Sequence, residues 1–179
     1  MSDAPRPLAV DLDGTLVLSE TSLQSASAAF VRDPARALAA LAQLSCGRAA
    51  AKAAFARVAR PDPAALAYRG PLLTFLERER KRGRALHLVT GADDAIAQDV
   101  APHLGLFASA RGSDGAINLK GARKLHWMQA RFPHGFDYAG DSTADLPIWR
   151  ALGRALLVGR AIGLAERLRA EGVQITATI

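Results

Sequence analysis

The chain has 179 residues, 50% of them hydrophobic and 22% charged, which bounds it to one globular domain or one with a small inserted module and excludes a disordered or fibrous chain. Lys and Arg number 23 against 17 Asp and Glu, a formal charge of +6, so nucleic acid, acidic lipid and phosphorylated metabolites all enter as partners of suitable sign. The single cysteine, Cys46, excludes a disulfide framework and a cysteine-rich zinc site, and no apolar run approaches the ~18 residues of a membrane span.

Residues 1–7 lack the apolar segment of a signal peptide, so a reducing, cytoplasmic setting is expected. Residues 8–10 are a short apolar run that stops at Asp11-Leu12-Asp13-Gly14-Thr15, the pattern of a strand ending in a polar loop. Residues 19–69 are alanine-rich and helical in character. Within them Asp33-Pro34 and Asp62-Pro63 each pair an N-cap with an N1 proline. Pro71 opens a further helix that runs to Gly83, followed by a buried strand at 85–89 stopping at Thr90-Gly91. A helix from Asp93-Asp94 to Leu104, a short strand at 107–109, a helix at 123–132 and a strand at 136–139 come next. Helices at 143–152 and 162–170 and strands at 155–158 and 173–176 complete the pattern.

Strands alternating with helices predict an α/β fold, a Rossmann-like three-layer parallel sheet, with a small helical cap inserted after the first strand. The expected division is 1–18 and 70–179 for the core and 19–69 for the cap.

Lys52, Lys81, Lys120 and Lys124 are the only lysines; every other basic residue is arginine. The densest basic run, 78–84, follows the apolar stripe Leu72, Leu73, Leu76 and reads as a solvated helix end, where cations suit the helix dipole. Stacking aromatics are missing around it, which disfavours nucleic acid as the partner. Cys46 is expected to be an inert buried thiol, Trp127 and Trp149 core residues, and the four histidines structural.

In an open parallel sheet ligands bind beyond the carboxyl ends of the strands. Three predicted strand ends carry Asp11 with Asp13, Thr90, and Asp141, and a helix start carries Lys124. Three carboxylates in one crevice repel unless a hard cation sits between them, and oxygen-only ligands favour Mg²⁺. Asp11, Asp141 and the backbone carbonyl of Asp13 are the candidate ligands. A carboxylate such as Asp11 can attack a phosphoryl group, while Asp13 can protonate the leaving group and then activate water. Thr90, the Gly91 amide and Lys124 are candidate phosphate anchors, with Lys120 the competitor of Lys124.

Asp-Leu-Asp-Gly-Thr-Leu at 11–16, Thr90, Lys124 and Gly-Asp-Ser-Thr-Ala-Asp at 140–145 resemble the four motifs of the haloacid dehalogenase (HAD) superfamily over roughly residues 7–160. The resemblance implies Mg²⁺-dependent phosphoryl transfer through Asp11, with Asp13 as acid/base, Asp141 as a metal ligand and Asp145 as a more distant or alternate one. Asp13 disfavours the superfamily's dehalogenases and phosphonate hydrolases, which lack a carboxylate there. A phosphatase acting on a small phosphorylated metabolite is expected. Phosphomutase chemistry stays open, as do a nucleic-acid end-processing module and a regulatory partner of a prenyl-lipid enzyme.

The long gap between Asp11 and Thr90 resembles the C1-capped branch. Residues 118–124 and 136–142 are similar to the HAD domain fused to bacterial polyprenyltransferases. The opening motif through Glu20 also resembles phosphoserine phosphatases, which implies a substrate-reading Glu20 and a cap residue, Arg57, that meets a carboxylate. Thr90 departs from the serine usual in that group. Substrate identity and oligomeric state are left open by the residues.

Overall fold

The computed structural model describes residues 5–179, so the first four residues of the segment read above as lacking a leader lie outside it. Its centre is β1 (Leu8–Val10), flanked in parallel by β2 (Leu86–Asp93) and β4 (Asp137–Gly140). β3 (Ser109–Ser113) extends the sheet beyond β2, while β5 (Arg154–Leu157) and β6 (Gln174–Thr178) extend it beyond β4, giving the order β3-β2-β1-β4-β5-β6. All pairings are parallel. A parallel sheet needs crossovers, and the helices of those crossovers cover both faces. The expected α/β, Rossmann-like architecture is the one found.

Alternation along β1 divides the core. Leu8 and Val10 join Leu86 and Leu88 under α4 (Gly70–Lys81) and α5 (Asp94–Leu104), through Leu72, Leu76, Ile96 and Val100. Ala9 faces the opposite layer with Val89, Ala155 and Leu157, covered by α6 (Ala122–Arg131), α7 (Leu146–Leu152) and α8 (Ala165–Ala170) through Met128, Ile148, Trp149 and Leu168. Trp149 is fully buried, as expected, whereas Trp127 is only half-buried.

Between β1 and α4 stand α1 (Thr21–Arg32), α2 (Pro34–Ala42) and α3 (Arg48–Val58), with their own small cluster of Ala29, Ala37, Ala40, Phe55 and Ala59. Asp33 caps α2 by accepting from the Arg36 amide, as its Asp-Pro signature predicts. Asp62-Pro63 opens only a 3₁₀ turn, Pro63–Ala65. Cys46 corrects the expectation of a buried thiol: it lies exposed in the 3₁₀ turn Gln43–Cys46, a connection between helices that buries none of its residues and stands outside the alanine-rich cluster. Among the described residues no helix is long and apolar enough to cross a membrane.

Candidate active site

Because β1 lies between β2 and β4, Asp11 and Asp141, each just past a carboxyl end, stand beside Thr90 in the last part of β2. The order of strands departs from β1 in both directions, which opens a crevice at this end of the sheet. A cavity of about 120 Å³ sits there, lined by Asp11, Asp13, Thr90, Gly91, Lys124, Asp141 and Asp145 from the sequence-derived set.

Carboxylate oxygens of Asp11, Asp141 and Asp145 all lie within 4.8 Å of one another. Such crowding requires the turn after β1 to press close. Gly14 has φ +73°, and a Cβ there would stand 2.3 Å from Asp141 Oδ2. Only glycine meets both demands.

The floor is cross-braced. Lys124 is 2% exposed, its Nζ lies 3.0 Å from Asp11 Oδ1, and it donates at 2.8 Å to the Tyr138 hydroxyl. Tyr138 in turn donates at 2.8 Å to Asp145 Oδ1. The backbone amide and hydroxyl of Ser142 hold Asp145 Oδ2, so both oxygens of Asp145 already have protein partners. Burial raises the Asp145 carboxyl to about 6, opposed by Lys124 and reinforced by Asp11. Burial likewise pushes the Tyr138 phenol upward, with Asp11 and Asp145 adding to it. Tyr138 thus stays protonated as the relay between cation and carboxylate.

Asp13 Oδ1 accepts from the Thr21 backbone amide at 2.8 Å and the Thr21 hydroxyl at 2.7 Å, at the very start of α1. Burial raises its pKa to about 6, and the Thr21 hydrogen bonds work against that rise. Thr90 Oγ1 accepts from the Ala92 amide at 3.0 Å, leaving the hydroxyl proton to donate. β2 does not stop at Thr90-Gly91 as predicted. Its register against β3 shifts between Val89 and Asp93, where the strand is irregular, and pairing resumes at Asp93.

Arg57 departs from the expected set. It lines a separate cavity with Asp93, Asp94 and Arg60, and not the one holding Asp11. Five residues earlier on α3, Lys52 enters the site, donating at 2.6 Å to the Gly91 carbonyl. Glu20 does line the cavity, at its exposed rim. Lys120 lines it too, but without the burial and Asp11 contact of Lys124.

Sequence reasoning missed Lys52, Tyr138 and Arg160. Arg160 follows β5 and reaches Asp141 Oδ2 at 2.7 Å. Its place beyond a strand's carboxyl end was a usable signal. Tyr138 sits inside a buried strand, where nothing distinguishes a relay from core.

A sequence profile of the haloacid dehalogenase-like hydrolases matches residues 8–150. The chain belongs to that family. An uncharacterised protein of Sinorhizobium fredii, y4nM, is 46% identical over 173 residues, which are 97% of this chain and 34% of that protein. The chain therefore spans about a third of the length of that curated relative. A Bordetella pertussis protein of unknown function has a similar fold, with TM-score 0.66, 18% identity and coverage of 96% of this chain and 98% of that one. A substrate-bound phosphoserine phosphatase follows at TM-score 0.64 and 15% identity, covering 97% and 93%. At such identities these two likenesses speak for the fold alone.

Proposed function

We propose that this hydrolase is a Mg²⁺-dependent phosphatase that cleaves a small phosphorylated metabolite through an aspartyl-phosphate on Asp11. The observation that carries the reading is the cluster at the sheet's carboxyl edge: Asp11 Oδ1 lies 3.0 Å from the buried Lys124 ammonium, and carboxylate oxygens of Asp11, Asp141 and Asp145 lie within 4.8 Å of one another.

That donor set, all oxygen and all anionic, fits a hard divalent cation. Asp11, Asp141 and the Asp13 carbonyl are the residues to hold Mg²⁺. Asp145, with both oxygens engaged by Tyr138 and Ser142, is suited to orienting its neighbours. When bound, Mg²⁺ neutralises the carboxylates and the developing phosphoryl charge.

In the first step an Asp11 carboxylate oxygen attacks phosphorus and the bond to the leaving oxygen breaks. Asp13 supplies that oxygen's proton, a role suited to a carboxyl raised to about 6. Lys124 and the Thr90 hydroxyl hold the equatorial phosphoryl oxygens. In the second step Asp13, now ionised, takes a proton from water as the water attacks phosphorus, which frees Asp11 and inorganic phosphate. Thr21 ties α1 to Asp13, so the segment 19–69, read as a lid, is mechanically joined to the acid/base group.

Phosphate release from a panel of phosphomonoesters with Mg²⁺ tests the proposal. Asp11→Asn is expected to lower kcat by at least about 10³-fold, the scale of losing a covalent nucleophile. No release by the wild-type protein, or equal release by the variant, rejects it.

A further inference from the structure

Three of the chain's four lysines, Lys52, Lys120 and Lys124, line this one cavity, in a sequence whose other bases are nearly all arginine. Their partners differ. Lys124 is spent on Asp11 and Arg160 on Asp141. Among the described residues neither Lys52 nor Lys120 has a carboxylate within 4.0 Å.

The two lysines flank the same glycine. Lys52 reaches it from the inserted helix α3 and bonds its carbonyl at 2.6 Å, keeping two further N–H donors. Lys120 reaches it from the loop before α6, with its Cβ 3.7 Å from where a Gly91 side chain would begin. Burial is the main influence disfavouring the charge on Lys52; Asp13 and Glu20 favour it, and Lys120 and Arg48 are near enough to disfavour it further. Lys52 and Lys120 thus stand as like charges on either side of Gly91 at the cap end of the cavity, with Asp13 and Glu20 the carboxylates that offset them. An anion removes that repulsion, as a cation removes it among the floor carboxylates.

We infer that Lys52 and Lys120 form a second anion subsite, which selects substrates whose leaving group carries its own carboxylate or phosphate. The inference rests on the phosphatase reading for the position of the first phosphoryl group, seated by Asp11, Thr90 and Lys124. Lys52 and Lys120 are then positioned to grip the far end of the substrate, and Lys52 links that grip to the inserted helices.

Equilibrium binding separates this from the chemistry. In buffer with Mg²⁺, calorimetry compares 3-phosphonopropionate and 1,3-propylenediphosphonate with propylphosphonate, three non-hydrolysable ligands that share one phosphonate head. The wild-type protein is expected to bind at least one of the doubly anionic ligands about tenfold or more tightly than propylphosphonate, the scale of one charge-assisted contact. Lys52→Met and Lys120→Met are each expected to bring that ratio toward one, and Lys52→Arg to keep most of it. Because Lys120 is exposed, its variant tests the subsite without disturbing packing. Preference for the carboxylate or for the second phosphonate identifies which anion the subsite takes. Equal affinity for all three ligands in the wild type overturns the inference. So does an equal loss for all three in the lysine variants, which would assign these lysines to the shared head. A lysine-dependent preference in a protein that releases no phosphate upholds the subsite and rejects the phosphatase reading instead.

Discussion

On the floor of the cavity, Asp11, Lys124, Tyr138 and Asp145 form a chain of contacts of 2.8–3.0 Å, and its last three members are almost wholly buried. On the cap side, Lys52 is held by one backbone carbonyl, and Lys120 and Glu20 are exposed. Asp11, Tyr138 and Asp145 sit on or just past the neighbouring parallel strands β1 and β4, so their geometry is inherited from the sheet, and Lys124 meets them from the first turn of α6. On the cap side, Lys52 comes from alanine-rich helices with a small core of their own, Glu20 from the residue before α1 and Lys120 from the loop before α6. A chemical step common to many substrates needs fixed groups, and selection among substrates needs groups that can be changed without cost to the fold. The two halves divide in that manner. Variants of the floor are expected to affect metal binding and turnover, and variants of the cap side ligand choice.

After Asp11→Asn, the largest expected effect is that of Asp141→Asn. Its loss should weaken Mg²⁺ binding on the order of 100-fold, as measured by calorimetry, since a charged oxygen donor is removed from a set of few. Stability without metal should move the other way or not at all. The substitution relieves carboxylate repulsion, and the ion pair it sacrifices, to the largely exposed Arg160, contributes little. A thermal melt in chelator that drops sharply for Asp141→Asn breaks the picture of a floor strained by like charge.

Thr21→Val probes the seam between the two halves, with a smaller effect. It deletes the 2.7 Å hydroxyl bond to Asp13 while keeping the backbone one at 2.8 Å. A hydrogen bond to the ionised form lowers a carboxyl pKa, so its loss moves Asp13 above its present value of about 6. Deprotonated Asp13 is the base of the second step. Where that step limits turnover, the acid limb of the pH–rate profile shifts to higher pH and kcat at neutral pH falls by less than about tenfold. An unmoved limb detaches Thr21 from the chemistry and makes it a helix-start residue only.

The carboxylates of the floor and Thr90 were legible in the sequence because apolar runs ending in Asp-x-Asp-Gly-Thr, Thr-Gly or Gly-Asp mark one sheet edge, whereas Tyr138, inside its strand, was not. Apolar Leu125 and Met128 follow Lys124 at helical spacing, the pattern that turns a helix start toward the interior, and it is Lys124 whose ammonium is buried against Asp11. The cap side was not legible. Residues 48–58 read Arg-Ala-Ala-Ala-Lys-Ala-Ala-Phe-Ala-Arg-Val, and nearly uniform alanine erases the contrast that would tell which face of α3 meets the site. Periodicity therefore could not separate Lys52 from Arg57, five positions and about 140° of helical turn apart.

That ambiguity gives the smallest prediction. Arg57→Ala should leave kcat/KM within about twofold and leave the preference between singly and doubly anionic ligands unchanged, in contrast to Lys52→Met. Its effect belongs to stability. Arg57 and Arg60 favour the ionised form of Asp93, whose carboxyl burial otherwise pushes up. Removing Arg57 raises Asp93 further, so at neutral pH the variant loses under about 1 kcal/mol of stability. The sign of the pH dependence follows. Below the ordinary carboxylate range Asp93 is protonated in both folded and unfolded chains, the arginine has no anion to favour, and the two melting curves should converge. A variant that instead loses ligand selectivity at constant stability would place Arg57 in the site and turn α3 by that same angle.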